Sequence, residues 1–253
     1  MKQVRDQAER KIRLEAARRQ IGRLVEPSAM ARLPLGCEAI DGCLKGGLVI
    51  GALHEVTAAD HRATPAAWGF LLTLAGIATA TRGGTIVWPL GKRAGEFGAP
   101  YGPGLKHLGF DPASILFIRC NTREDVLWAM EEALRIGGIG AVVGTRPKRM
   151  DLTASRRLQM AAEASATPIF LLRTYKDDAP SAAATRWRVR PYRAVRDRFG
   201  FFSNPRWHVA LDRVRGGRTG EWVVEWNHDA LCLRLPAGLG SGALPADRAR
   251  SAA

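Results

Sequence analysis

The sequence has little of what covalent or metal staples require. Four cysteines (Cys37, Cys43, Cys120, Cys232) are scattered over 253 residues, with no pair at C-x-x-C spacing and no histidine nearby at ligand spacing. That excludes a zinc ribbon and a disulfide framework, so a reducing compartment is the default. No uninterrupted apolar run reaches the length of a bilayer span, and the charged N-terminus has no apolar core of a signal peptide. The expectation is a soluble, cytoplasmic protein without a membrane partner. No nucleophile, imidazole and carboxylate stand together at motif spacing, and His54, His61 and His107 read as structural. No enzyme site is expected.

Acidic side chains are the scarcer charge, 24 Asp+Glu against 38 Lys+Arg, for a formal net charge of +14. A field of that sign attracts polyanions, either nucleic acid or an acidic protein surface. The excess is uneven. Residues 173–218 hold 12 basic and 4 acidic side chains, whereas residues 27–172 hold 15 and 12. Apolar residues at 46% supply an ordinary globular core.

Three parts are expected. Residues 1–26 form a basic amphipathic arm, with Leu14, Ala17, Ile21 and Leu24 at helical spacing over 2–26 and Pro27 ending it. Leu14, Ile21 and Leu24 are its candidate partner-binding residues. Residues 27–236 form one α/β domain, and 237–253, rich in Gly, Ala, Ser and Pro, read as a disordered tail. Within the domain, strands are expected at 48–56, 85–88, 115–119, 141–143 and 169–172. Helices are expected at 65–81, 122–136 and 152–166. Short apolar strands alternating with helices imply a mostly parallel sheet covered on both faces. Beyond Leu172 the chain reads as a long exposed loop around one strand, then a C-terminal β-hairpin at 207–215 and 221–226, and a last strand through Leu231, Leu233 and Leu235.

The segment Leu35, Gly36, then Ile40, Asp41, Gly42, Cys43, Leu44, Lys45, Gly46, Gly47, Leu48, Val49, Ile50, Gly51, running into a strand with Glu55, resembles the entry to a RecA-like core. That resemblance covers roughly residues 33–235. It implies a phosphate-binding loop next, G-x-x-x-x-G-K-[ST], in which glycines let backbone N–H groups close on the phosphates. The chain has instead Thr57, Ala58, Ala59, Asp60, His61, Arg62, Ala63, Thr64. Glycine and lysine are both missing, and Asp60 places negative charge where a polyphosphate would sit. Arg62 could replace the lysine's charge but not the glycines' room. The strand at 141–143 runs into Gly144, Thr145 and Arg146, where a RecA-type ATPase has a magnesium-orienting Asp. The strand at 85–88 leads to Pro89, Leu90, Gly91 and Lys92, without the acid that activates water. The reading is a degenerate ATPase core without a cofactor.

A RecA-like core lacking the Walker lysine, with a basic Arg/Trp-rich end, is similar to the ImuA family; the strings 184–189, 205–209 and 213–222 carry the likeness. The resemblance implies a non-enzymatic accessory protein of damage-induced (SOS) translesion synthesis. Its implied partners are an ImuB-like inactive Y-family polymerase and an error-prone DnaE-type polymerase. RecA, single-stranded DNA and a second copy of the chain are further candidates. Two alternatives stay open: a cell-division inhibitor of the SulA type, and a RecA-like ATPase with an unorthodox loop.

Period-two alternation over 184–190 sets Thr185, Trp187 and Val189 on one face and Arg186, Arg188 and Arg190 on the other. Those arginines, with Arg193, Arg196 and Arg198, interleave with Phe199, Phe201 and Phe202. Cations that track a backbone beside rings that stack on bases suit single-stranded DNA. Trp187, Trp207, Trp222 and Trp226 read as core.

Overall fold

The structure is a computed structural model that describes residues 31–91, 100–147, 150–194 and 204–236. The N-terminal arm, the C-terminal tail, Leu14, Ile21, Leu24, Arg196, Arg198, Phe199, Phe201 and Phe202 lie outside the described residues. The chain divides into Met1–Ala31 and Arg32–Ala253, and the elements described belong to the second unit.

The order is β1 (Arg32–Leu33), α1 (Glu38–Cys43), β2 (Leu48–Val49), β3 (Leu53–Ala58), α2 (Thr64–Arg82), β4 (Thr85–Gly91), α3 (Gly102–His107), a 3₁₀ turn (Pro112–Ser114), β5 (Ile115–Cys120), α4 (Arg123–Arg135), β6 (Ile139–Thr145), α5 (Leu152–Ser165), β7 (Ile169–Arg173), β8 (Thr185–Pro191), β9 (Arg206–Val214), β10 (Gly220–Asn227) and β11 (Cys232–Arg234). Nine strands form one sheet in the order β11-β10-β9-β8-β3-β7-β6-β4-β5. The six from β8 to β5 are mutually parallel, and β9, β10 and β11 add antiparallel. This is the α/β, RecA-like arrangement with a C-terminal hairpin that the sequence pattern implies.

The inner parallel strands β3, β7, β6 and β4 are buried on both faces, as their continuous apolar runs require, whereas the edge strand β5 leaves Leu116 and Phe117 exposed. On β7, Phe170 and Leu172 join the core under α2, while Ile169 and Leu171 join the core under α4 and α5. Helix α2 is apolar enough in length and composition to cross a bilayer. Phe70 through Ala78 are all buried in it, however, which marks the central helix of a packed core. Phe110 lies so close to Gly76 that a Cβ there would stand 2.0 Å from its ring. Helix α4 opens with a reciprocal capping box between Thr122 and Asp125, the residues that mark its start in the sequence.

The expected single strand at 48–56 is two. Gly51 adopts φ +73° and bends the chain between β2 and β3, because an apolar run read by composition alone does not register a left-handed residue. Gly46 and Gly47 are also left-handed, at φ +104° and +126°, and a Cβ on Gly47 would sit 2.2 Å from the Leu33 carbonyl oxygen. The glycines of the entry motif therefore shape the β1–β2 corner.

The aromatic reading of the C-terminal half agrees with the structure. Trp187, Trp207 and Trp226 are buried and Trp222 is half-buried. Phe70 of α2 meets Trp187 at 5.5 Å and Trp207 at 5.9 Å between ring centroids, extending the α2-side core beneath the antiparallel strands.

Candidate nucleic-acid interface

In an open α/β sheet, ligands gather outside the carboxyl ends of the parallel strands. Here those ends belong to β8, β3, β7 and β6, which stand side by side. Thr57 pairs with both Arg173 and Arg188, and Thr145 pairs with Leu172.

The loop from β3 to α2 is short and closed on itself. The Ala63 N–H donates to Asp60 Oδ1 at 2.9 Å, and the Thr64 N–H and hydroxyl both donate to the His61 carbonyl, at 3.2 and 2.8 Å. Ala59 N–H donates to Val189 O at 2.8 Å, tying the loop to β8. Phosphate nests need amides left open by a right- and left-handed alternation. Between Thr57 and Thr64 no residue has a positive φ, and α2 starts from Ala63 without a side-chain cap. The carboxylate of Asp60 thus takes an amide at the helix start that an anion would otherwise seek. Thr57 is half-buried with its hydroxyl unpartnered, Ala58 is buried in β3, and Asp60, His61 and Arg62 are exposed.

A second feature was hidden in the sequence. Glu55, inside apolar β3, is fully buried and faces three arginines. Its Oε2 accepts from Arg173 Nη1 at 2.7 Å, from Ser181 Oγ at 2.8 Å and from Arg186 Nε at 3.3 Å. Its Oε1 lies 3.5 Å from Arg146 Nε. Asp177 is the second carboxylate, paired with Arg146 and Arg173. Arg146 also donates to Met150 O, and Arg173 to Ala179 O at 2.9 Å. Buried charges persist only when paired and hydrogen-bonded. The cluster holds the segment between β7 and β8 against the sheet: that crossover has no helix and few large apolar side chains, so charge rather than oil fastens it. The available signal was a carboxylate within an apolar strand and an arginine at the end of each of two others.

Arg186 is therefore an internal counter-ion, only a quarter exposed at its side chain, and not one of three equivalent outward arginines. Alternation placed it on the correct face, but that face at its position is roofed by the 174–184 segment. Arg188 is exposed and pairs with Asp212 at 3.0 Å and, at 3.9 Å, with Glu221. Arg190 and Arg193 are exposed. Arg190 stands opposite His208, whose imidazole is held below its ordinary value by burial first and by the Arg190 charge second, against the opposing pull of Glu221. Farther along, Glu225 bridges Arg206 (2.6 Å) and Arg234 (2.8 Å); burial raises its pKa, and these two arginines with Asn204 outweigh that and leave it lowered.

His54 has the structural role expected. Trp187 Nε1–H donates to Thr185 Oγ1, whose hydroxyl lies 2.8 Å from His54 Nδ1, and His54 Nε2 lies 3.0 Å from Val49 O. This chain satisfies a neutral imidazole protonated at Nε2. Burial lowers its pKa to about 4. Among the described residues no group of three or more His, Cys, Asp or Glu could hold a metal ion.

No protein-family model matches the chain. It is 37% identical over 210 residues to "Protein ImuA" from two strains of Caulobacter vibrioides, an alignment covering 76% of this chain and 82% of that protein.

Proposed function

Since the chain belongs to the ImuA family, we propose that it serves damage-induced mutagenesis as a non-catalytic adapter, holding polymerase-related proteins and single-stranded DNA without turning over ATP. The observation that carries this reading is the closed β3–α2 loop, where Asp60 accepts the Ala63 amide and no left-handed residue opens a nest. Arg146 at the end of β6 supports it, since this guanidinium is committed to Glu55 and Asp177 where magnesium chemistry would need an acid. An ATPase with an unorthodox loop would have to break the Asp60 turn and find a new lysine.

The partners follow from the family likeness: an ImuB-like inactive polymerase, an error-prone DnaE-type polymerase, and RecA. The test is size-exclusion chromatography of the purified chain with an ImuB-like protein, in the presence and absence of Mg-ATP. Co-elution independent of nucleotide is the expected result. A complex that forms only with Mg-ATP contradicts the adapter reading.

A further inference from the structure

The strand face that carries Arg188 is largely self-neutralised. Arg188, Arg190, Arg206 and Arg234 stand on it with Asp212, Glu221 and Glu225, and all of these except Arg190 are joined in the ion pairs described. A polyanion would have to compete with those carboxylates for the arginines. With Arg190, three exposed cations that join no ion pair among the described residues, Arg62, Lys176 and Arg193, stand around the carboxyl ends of β8, β3 and β7.

Three loops meet there. The first carries Arg62, after β3. The second carries Tyr175 and Lys176, after β7. The third is the end of β8, with Arg190 in the strand and Tyr192 and Arg193 just past it. His61 of the first loop meets the Tyr175 ring edge-on at 6.3 Å, so the β3 and β7 loops touch. Lys176 Nζ lies 5.3 Å over the same ring. Tyr192 is anchored by its N–H to Arg206 O at 3.0 Å. Both tyrosine side chains stay open, Tyr175 at 38% and Tyr192 at 37% exposure. Among the described residues of these loops, Asp60 and Asp178 are the exposed acids, and Asp60 is engaged with Ala63. Asp177 is committed to Arg146 and Arg173.

We propose that this strand-end edge is the single-stranded DNA site: Tyr175 and Tyr192 stack on bases, and Arg62, Lys176, Arg190 and Arg193 track the phosphates. The proposal rests on the DNA-holding part of the adapter reading and locates it. Exposed rings ordinarily favour burial, and two of them held among surplus cations suit a ligand that is flat, apolar on its faces and anionic along one side. A duplex keeps its base faces covered, so the rings select single strands. The loops of β7 and β8 flank β3 at two strand spacings, about 10 Å. That is about three nucleotide rises of a stacked strand at roughly 3.4 Å each. The closed phosphate loop is then reused: Arg62 meets a polynucleotide backbone at the position where a nucleotide's phosphates no longer fit.

The experiment is fluorescence anisotropy of a labelled oligothymidylate with the full chain over a salt series, without nucleotide. Tyr175→Ala and Tyr192→Ala should each weaken binding about fivefold or more, leaving the salt slope unchanged. Tyr175→Phe and Tyr192→Phe should restore it. Arg190→Ala with Arg193→Ala should lower the slope of log K against log salt by about 1.4, two phosphates at roughly 0.7 each. All four substituted side chains are exposed, so melting temperature serves as the folding control. Binding that survives these substitutions unchanged overturns the site but leaves the adapter reading standing. Absence of oligonucleotide binding at low salt overturns the site and removes DNA from the adapter reading as well. Loss of co-elution with an ImuB-like protein in the tyrosine variants, without any oligonucleotide binding, assigns this edge to a protein partner and likewise overturns the proposal.

Discussion

Glu55 and Arg173 face each other across two adjoining parallel strands, Oε2 to Nη1 at 2.7 Å, with neither side chain reaching solvent. Removing one partner of such a pair leaves the other's charge buried and uncompensated, which is the expensive way to break it. Glu55→Gln is therefore expected to lower stability by about 3–5 kcal/mol, read as a fall in the denaturation midpoint. A change below about 1 kcal/mol would mean that water reaches the cluster or that Asp177 alone satisfies the three arginines.

His54 makes stability depend on pH in a specific direction. Its folded pKa is lowered to about 4 from the ordinary 6.5, so the unfolded chain binds the proton more readily than the folded one. The stabilisation is complete above pH 6.5 and is lost as pH falls from there towards 4. Its size is about 3 kcal/mol. Chemical denaturation at pH 7 and pH 5 should differ by about 2 kcal/mol through this group, since pH 5 still lies above its folded pKa, and His54→Gln, which keeps a donor and an acceptor, should shrink that difference.

Two glycines five residues apart should respond oppositely to alanine. Gly47 is left-handed at φ +126° with no space for a Cβ, whereas Gly42 is helical with nothing within 4 Å. Gly47→Ala is expected to destabilise by more than about 1 kcal/mol. Gly42→Ala is expected to stabilise by about 0.5–1 kcal/mol. Equal effects on the melting temperature would refute the role given to the entry motif in shaping the β1–β2 corner.

Arg188 is exposed on the sheet face and its ion pairs lie in solvent. Arg188→Ala should change stability by less than about 1 kcal/mol, in contrast to Glu55→Gln. Parallel denaturation curves for the two variants make the comparison.

Much of the fold was legible because period-two and helical patterns are local. The capping box at Thr122 and Asp125, the long core helix of α2 and the face on which Trp187 lies all follow from neighbours in the chain. The break between β2 and β3 was not, since it depends on the backbone angle at Gly51. The arginine cluster was illegible for a different reason. Glu55 finds Arg173, Ser181 and Arg186 at 118, 126 and 131 residues' separation, so only the sheet order brings them together. The same alternation that correctly turned Arg186 away from the α2 core could not reveal the segment that roofs it. Tyr175 sits in a polar loop with no pattern of its own, and its place beside His61 exists only once β3 and β7 are paired.

The adapter reading requires that the closed β3–α2 loop leave this RecA-like core unable to take up nucleotide. Isothermal titration calorimetry of the purified chain with Mg-ATP tests it most directly, alongside the melting temperature at saturating Mg-ATP. No binding heat and no thermal shift are the expected results. A saturable isotherm with a raised melting temperature, as ligand linkage requires of any folded-state site, would contradict it.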